Sequence, residues 1–269
     1  MRTKLKASFH IHSTASFDGY NSSSAIYRFA RRAQLDVIAI TDHDTIKGAV
    51  EFEKWLKEKN KKDLTAIIGE EITCVDGTHI IGLFLEKHID SDTPVNVVNK
   101  ILDQKGLVYF PHPTRKDGIF NSEDFEKVID KGHFLEIFNA KINDTFNISA
   151  QEIFIKYPHL IPIGGSDAHY NSDILKCYNE LNIQNEEEDL KNQLIKLKTA
   201  DIAIFGKKKK SGSNNYFQGY YKYKEKLNLP QFLREIGKKV FPLYKNFKER
   251  KTNHTLESIF KNESQPFNK

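Results

Sequence analysis

The chain has 269 residues, of which 39% are hydrophobic and 29% charged, a composition that fits one large or two small globular domains with a sizeable core. Its two cysteines, Cys74 and Cys177, exclude a disulfide framework and a cysteine-type zinc site, and read as buried or incidental thiols. No apolar run reaches the roughly 18 residues of a membrane span, and the opening MRTKLKASFHIH holds no apolar stretch of signal length, so the expected compartment is the cytoplasm.

Strand-length apolar runs alternate with amphipathic stretches along most of the chain. Residues 5–11 predict a first strand. Residues 22–33 predict a helix with Ile26, Phe29, Ala30 and Ala33 on one face, and 37–41 a strand buried on both faces. Residues 45–59 predict a helix with Trp55 and Leu56 on its apolar side. A strand over 64–73 and a second over 79–85 are expected to pair across the Asp76-Gly77 turn. A helix over 94–104, a strand over 106–110, a helix over 122–130 and a strand over 134–138 follow. Then come a helix over 149–157, a strand over 160–163 that leads into a Gly-Gly-Ser turn, a helix over 187–198 and a last strand over 202–205. This alternation predicts an α/β fold with a mostly parallel sheet, and the number of units points to a barrel.

The character changes after Gly206. Residues 207–269 carry 16 Lys and Arg against 5 Asp and Glu, a net +11, whereas residues 1–206 sum to −6. Four lysines at 207–210 followed by Ser-Gly-Ser-Asn-Asn read as a charged, flexible linker. That places a boundary between a body of residues 1–206 and a basic extension of residues 207–269. Within the extension, Phe232, Ile236 and Val240 recur four apart, with Arg234, Lys238 and Lys239 elsewhere on the helical wheel. Aromatic residues are dense: Tyr216, Phe217, Tyr220, Tyr221, Tyr223, Phe241, Tyr244 and Phe247. Such a segment can pack its aromatic side on the barrel, lie on an anionic membrane surface, or bind RNA or DNA backbone. The sequence leaves the three open.

Function is read from where the polar residues fall. His10 and His12 sit two apart at the end of the first strand, which puts both side chains on one face. His43, between Asp42 and Asp44, lies just past the second strand, and Glu71 ends the third. His112 follows Phe110 between two prolines, and Asp167 and His169 follow Gly164-Gly165-Ser166. In an α/β barrel the C-terminal strand ends converge on one mouth, where active sites sit. Acids and imidazoles gathered there would be costly to desolvate without compensating cations. Imidazole with carboxylate suits Zn, Mn or Fe(II) better than Ca. A single histidine is most often a satisfied or surface residue, and His88, His133, His159 and His254 are read that way. Six of the ten histidines, however, fall at or just beyond predicted strand ends.

These residues carry a resemblance. Phe9-His10-Ile11-His12-Ser13, Thr41-Asp42-His43-Asp44-Thr45, Gly69-Glu70-Glu71-Ile72-Thr73, Pro111-His112-Pro113 and Gly165-Ser166-Asp167-Ala168-His169 resemble, in order, the motifs of the PHP (polymerase and histidinol phosphatase) family over residues 5–206. The resemblance implies a distorted seven-stranded barrel, a (β/α)7 variant, with two or three divalent metal ions (Mn, Zn or Fe) that hydrolyse phosphoesters. Carried over by position, His10, His12, Glu71 and Asp167 hold one metal. Glu71, His79 and His112 hold a second, with Glu71 as the bridge, and Asp18, His43 and His169 hold a third. Glu71 is preferred to Glu70 because the family pattern reads Gly-x-Glu-x-Ser/Thr. The stretch 77–86, with Pro111-His112-Pro113, resembles the branch with a short PHP-associated C-terminal region. Nucleotidase and RNA exonuclease members carry an inserted subdomain before Pro-His-Pro, where this chain has room only for a short helix.

On that resemblance the mechanism follows from charge. A hydroxide bridging two metals is a nucleophile at neutral pH, and two metals clamp the attacking and leaving oxygens. Arg115, three residues past His112, is a candidate to neutralise non-bridging oxygens, against the alternative of a solvated loop arginine. His43 or His169 could protonate the leaving group, although a metal-bound imidazole does so poorly and metal water is the simpler acid. Glu136 and Asn139 read as barrel-end hydrogen bonders that support the ligands. Expected substrates are small phosphorylated metabolites or nucleotides. An oligonucleotide exonuclease is the alternative, for which the basic extension would supply backbone affinity. A catalytically silent metal-binding regulatory module is a third reading, disfavoured by the complete ligand set.

Overall fold

The computed structural model describes residues 3–183, 188–207 and 256–261. Ten strands form one curled, mixed sheet in the order β10-β9-β8-β1-β2-β3-β4-β5-β6-β7. Strands β1 (Thr3–Ser8), β2 (Val37–Ile40) and β3 (Thr65–Thr73) run parallel. Strand β4 (His79–Leu83) returns antiparallel across the turn at Gly77, whose φ of +84° a side chain would resist. It pairs antiparallel with β5 (Leu107–Phe110), and β5, β6 (Phe134–Asn139) and β7 (Ile161–Gly165) are again parallel. Helices α1 (Ser23–Arg32), α2 (Lys47–Glu58), α3 (Pro94–Asp103), the short α4 (Phe125–Val128) and α5 (Asp144–Phe154) fall between these strands.

The sequence dictates much of this locally. In β2 every residue is buried. Ile38 and Ile40 join the apolar layer under α1 and α2 (Ile26, Phe29, Phe52, Leu56), while Val37 and Ala39 join the larger core, as expected of a strand covered on both faces. Helix α3 starts at Pro94 with Thr93 capping the Asn96 amide. It buries Val97, Val98 and Ile101.

Strands β1 to β7 curl until their two edges meet. Ile11 bridges Ala168, the His12 amide donates to Ala168 O (2.9 Å), and Ser166 Oγ donates to His10 O (3.0 Å). This closes the seven-stranded barrel at its mouth. Below the mouth, β8 (Cys177–Ile183) pairs antiparallel with β1 and covers the seam. The buried Asn179 side chain takes the Gly164 amide (2.7 Å) and donates to Gly164 O (2.9 Å) and Ala7 O (3.3 Å). Strand β9 (Ile202–Gly206), reached through α6 (Leu190–Ile195), pairs antiparallel with β8. Both cysteines are buried and unpaired.

Four points of the expected fold need correction. The sheet is not mostly parallel: β3–β4, β4–β5, β1–β8, β8–β9 and β9–β10 are all antiparallel. Strand β8 was unread because its inward positions are Cys177, Asn179, Leu181 and Ile183, and the polar Asn179 interrupts the apolar alternation. Nor is β9 the last strand. Residues Glu257–Lys261 return as β10 along its free edge, with the Phe260 ring meeting Phe154 edge-on. The intervening segment, including Phe232, Ile236 and Val240, lies outside the described residues. Helix α5 begins earlier than expected because Asn147 points inward, pairing with the backbone N–H and C=O of Asn139. Among the described residues no helix is long and apolar enough to cross a membrane.

Candidate metal centre

At the barrel mouth β3 brings Glu71 to the centre of the cluster. Its backbone pairs with the segment after β2 (Glu71 N to Asp42 O, Asp44 N to Glu71 O, both 3.0 Å), which seats His43 beside it. Five imidazoles surround the Glu71 carboxylate. Consecutive rings lie close: His10–His12 5.2 Å, His12–His43 4.7 Å, His43–His79 5.0 Å, His79–His112 5.5 Å and His112–His10 5.8 Å between centroids. The His169 ring lies 4.1 Å from that of His12, tilted by 33°.

The two carboxylate oxygens of Glu71 face different partners. Oε1 lies 3.0 Å from both His79 Nδ1 and His112 Nε2. Oε2 lies 3.1 Å from both His10 Nε2 and His12 Nε2, and 3.7 Å from His43 Nε2. Asp167 Oδ1 lies 3.7 Å from His10 Nε2 and 3.6 Å from His12 Nε2. Asp18 Oδ2 lies 2.7 Å from His169 Nε2 and 3.7 Å from His43 Nε2. The structure thus gathers all nine residues singled out from the sequence: His10, His12, Asp18, His43, Glu71, His79, His112, Asp167 and His169. Donor atoms within 4.8 Å of one another form overlapping sets, among them His12-Asp18-His43-His169, His10-His12-Asp167, His10-Glu71-His112 and His43-Glu71-His79.

Supporting groups fix the donors. Glu136 is a buried hub: Oε1 meets His10 Nδ1 (3.0 Å) and the Tyr109 hydroxyl, while Oε2 accepts from the His112 amide (2.6 Å) and Asn139 Nδ2 (2.9 Å). Asn139 also donates to Asp167 Oδ2 (3.3 Å). Gly165 must lack a side chain, since a Cβ there would lie 1.6 Å from Glu136 Oε1. His112 (φ 29°), Asp167 (φ 47°) and Asp44 (φ 52°) adopt left-handed backbone. Such conformations cost roughly 1–3 kcal/mol each and persist where their surroundings over-determine them.

The donor set fits divalent ions. His12 is fully buried; its Nδ1, like Nδ1 of His43, has no hydrogen-bond partner, and its Nε2 meets only the Glu71 and Asp167 carboxylates. Burial, then the neighbouring His169, lowers the His12 pKa to about 3. His12 is therefore neutral at physiological pH, the form that binds metal. Burial opposes charge on His10, yet Glu71, Asp167 and Glu136 outweigh it and hold its pKa well above the ordinary value. Burial likewise opposes ionisation of Glu71, but His43, His10 and His79 keep it ionised. A cation entering the cluster would displace protons of this kind.

Three residues at the mouth escaped the sequence reading. Asp117 lies 3.5 Å from His112 Nδ1 and 3.9 Å from His79 Nδ1, and accepts from Arg115 Nε (2.5 Å) and Nη2 (2.7 Å). The alternation Arg115-x-Asp117 was its only visible signal. Lys141 Nζ approaches His169 Nδ1 (2.7 Å) and Asp167 Oδ1 (3.5 Å), but in sequence it is one loop lysine among many. Phe17 lies over the His43 ring. Arg115 itself is not a solvated loop arginine. Its side chain is 28% exposed and its Nη1 lies 3.9 Å from Asp167 Oδ2. Of the histidines set aside, His88 pairs with buried Glu70 (2.5 Å) and His133 accepts from the Val108 amide (3.1 Å). His159 lies 3.7 Å from Asp130, and His254 is outside the described residues.

A barrel of this closure, with a histidine and carboxylate cluster at its mouth, defines a class of metal-dependent hydrolases. The chain belongs to the PHP domain family, whose profile matches residues 8–228. It is 37% identical over 173 residues to an uncharacterised protein of Methanocaldococcus jannaschii, a match covering 57% of this chain and 94% of that one. It is 35% identical over 139 residues to a 5'-3' exoribonuclease of Haemophilus influenzae, covering 51% of this chain and 49% of that one. Among solved structures, PsfC of Pseudomonas syringae shares the fold with a TM-score of 0.57 at 13% identity, over 83% of this chain and 99% of that one. Family and clusters together support divalent-metal binding and phosphoester hydrolysis.

Purified protein supplied with Mn, Zn or Fe is expected to hold at least two ions per chain, since the donor sets fall on both sides of Glu71. Elemental analysis checks this, and a content of one or none after supplementation would refute a shared carboxylate.

Proposed function

We propose that the chain hydrolyses the phosphoester of a small phosphorylated metabolite or nucleotide, using two or three divalent ions (Mn, Zn or Fe) held by the nine residues above. The observation that carries this reading is Glu71, whose two oxygens each face a separate pair of imidazoles on the floor of a cavity of about 460 Å³. Ions bound there would supply Lewis acidity and water activation near neutral pH. The chain's own residues supply position and charge. Glu136 orients His10 and His112, and Asn139 orients Asp167. Arg115 and Lys141 approach Asp167 from its two oxygens, Nη1 at 3.9 Å and Nζ at 3.5 Å, so two cations flank the place a phosphate would occupy. His43 and His169 turn Nε2 into the cluster toward Asp18, which favours their role as ligands over that of proton donors.

A second reading, an exonuclease on oligonucleotides, is favoured by the similarity to an exoribonuclease and by the basic extension. Assays with p-nitrophenyl phosphate, bis-p-nitrophenyl phosphate and a short oligonucleotide, with each metal supplied in turn, separate the two. Absence of turnover on all three with metals bound would leave the silent regulatory module.

Arg115→Ala is expected to raise KM and lower kcat, reducing kcat/KM by roughly 10–100-fold, the range for a lost charge-assisted contact of about 1.5–3 kcal/mol. Metal content should stay unchanged. Wild-type kinetics in this variant would remove Arg115 from the site.

A further inference from the structure

Six large apolar side chains are well exposed among the described residues: Phe17, Val50, Val75, Ile148, Ile155 and Ile195. Singly exposed apolar residues ordinarily need no explanation. Phe17 is set apart by place. It is the aromatic one of the six, it is 75% exposed, and it alone of them lines the cavity at the metal centre. Its ring lies 5.2 Å from that of His43, tilted by 31°.

The loop that carries Phe17 is pinned on both sides. Ser16 Oγ accepts from the His43 amide (3.3 Å) and donates to Asp18 Oδ1 (2.8 Å). The Gly19 amide donates to Ser16 O (3.3 Å), and the other oxygen of Asp18 meets His169 at 2.7 Å. The phenyl ring is therefore anchored at its base while its outer face is open. The rim of the cavity also carries Arg115 and Lys141, which attract anions. One cavity thus combines two cations, suited to a phosphate, with an open aromatic face, suited to a flat ring.

We propose that Phe17 is a specificity-determining residue: its ring is the platform on which a planar ring of the substrate stacks, so that phosphoesters of ring-bearing groups, nucleotides above all, are preferred over those of small aliphatic alcohols. This rests on the phosphoesterase reading above. Base-on-aromatic stacking tolerates any base, because every base has a π-face. The platform therefore selects for the presence of a ring rather than for its identity, and serves a free nucleotide or the terminal nucleotide of a chain alike.

The test uses the full chain loaded with Mn. Rates are measured on adenosine monophosphate, a short oligonucleotide and glycerol phosphate, and equilibrium binding of adenosine monophosphate and of inorganic phosphate is measured by calorimetry. Phe17→Ala should lower kcat/KM for a ring-bearing substrate about tenfold more than for glycerol phosphate, and weaken adenosine monophosphate about tenfold more than inorganic phosphate. Phe17→Trp, which keeps an aromatic face, should restore the discrimination. A loss on adenosine monophosphate, or on the oligonucleotide alone, supports the platform and tells which source it serves. Equal losses on all substrates, or an unchanged ratio, overturn it. If no phosphoester is turned over, the phosphoesterase reading falls, and the calorimetric ratio still decides whether Phe17 stacks. Folding is not at issue, because the replaced ring is mostly in solvent.

Discussion

Glu71→Gln should abolish turnover, by about 10³-fold or more, and lower metal content with the fold retained. Losing a group that merely hydrogen-bonds a metal ligand typically costs roughly 10–100-fold, and Glu71 stands between two donor sets. A Gln there offers one neutral carbonyl oxygen and a competing N–H₂, so both pairs of imidazoles at 3.0 and 3.1 Å lose their anionic partner and one pair loses its oxygen as well. The neighbouring Glu70→Gln makes the control. Glu70 accepts from the Ile89 amide (3.1 Å) and pairs with His88, away from the cluster. Burial pushes its pKa upward, and Glu70 belongs to none of the donor sets, so an uncharged amide is tolerated better here than at Glu71. Activity should change little. Turnover on a small phosphoester, elemental analysis and circular dichroism check both variants. A severe Glu70 loss with a mild Glu71 loss would overturn the placement of the bridge on β3.

How much of this was readable in the sequence depended on whether the residue type was unusual where it stood. His10 and His12 could be placed because period-two spacing at a strand end fixes a common face. Glu71 was told from Glu70 only by the resemblance, whose pattern reads Gly-x-Glu-x-Ser/Thr; in β3 Glu71 meets the imidazoles while Glu70 turns to His88. His112 and Asp167 were marked by Pro-His-Pro and by the Gly-Gly-Ser that precedes Asp167, although Gly164 and Gly165 prove to be the last residues of β7 rather than a turn. Asp117, Lys141 and Phe17 had no such marks. A charged or aromatic residue in a loop has no periodicity, and only the closed barrel shows that these three reach the mouth. Strand β8 was hidden for a similar reason. Its middle inward position is Asn179, whose hydrogen bonds to Gly164 and Ala7 exist only once β1 and β7 meet. Strand β10 is separated from its partner by residues 207–256, so no local pattern announces it.

Ending the chain at Gly206 should cut its affinity for polyanions by orders of magnitude while leaving the metals and small-phosphoester turnover in place. The nine candidate ligands end at His169, and every residue lining the cavity lies within residues 17–169. The charge, by contrast, lies beyond the cut: residues 207–269 carry 16 Lys and Arg against 5 acids, on a body of net −6. If only six of those cations met phosphates, raising salt from about 50 to about 200 mM would cost the full chain on the order of 10³ in affinity. The truncated body, like-charged with the polyanion, should show little binding at either salt. Truncation also removes β10, baring the β9 edge and the side of Phe154 that meets Phe260, so the shortened chain should melt at a lower temperature and tend to associate. A full-length variant with the four lysines at 207–210 changed to Gln separates charge from packing. It keeps β10 and should keep the melting temperature while losing part of the salt-sensitive affinity. Gel filtration, thermal melts, turnover, and oligonucleotide or anionic-liposome binding at two salt concentrations check all three proteins. Binding by the full chain that ignores salt would show that the extension's charge does not face a polyanion. A soluble, metal-loaded truncation without turnover would show that residues 207–269 help build the active site and that the boundary at Gly206 has no functional meaning.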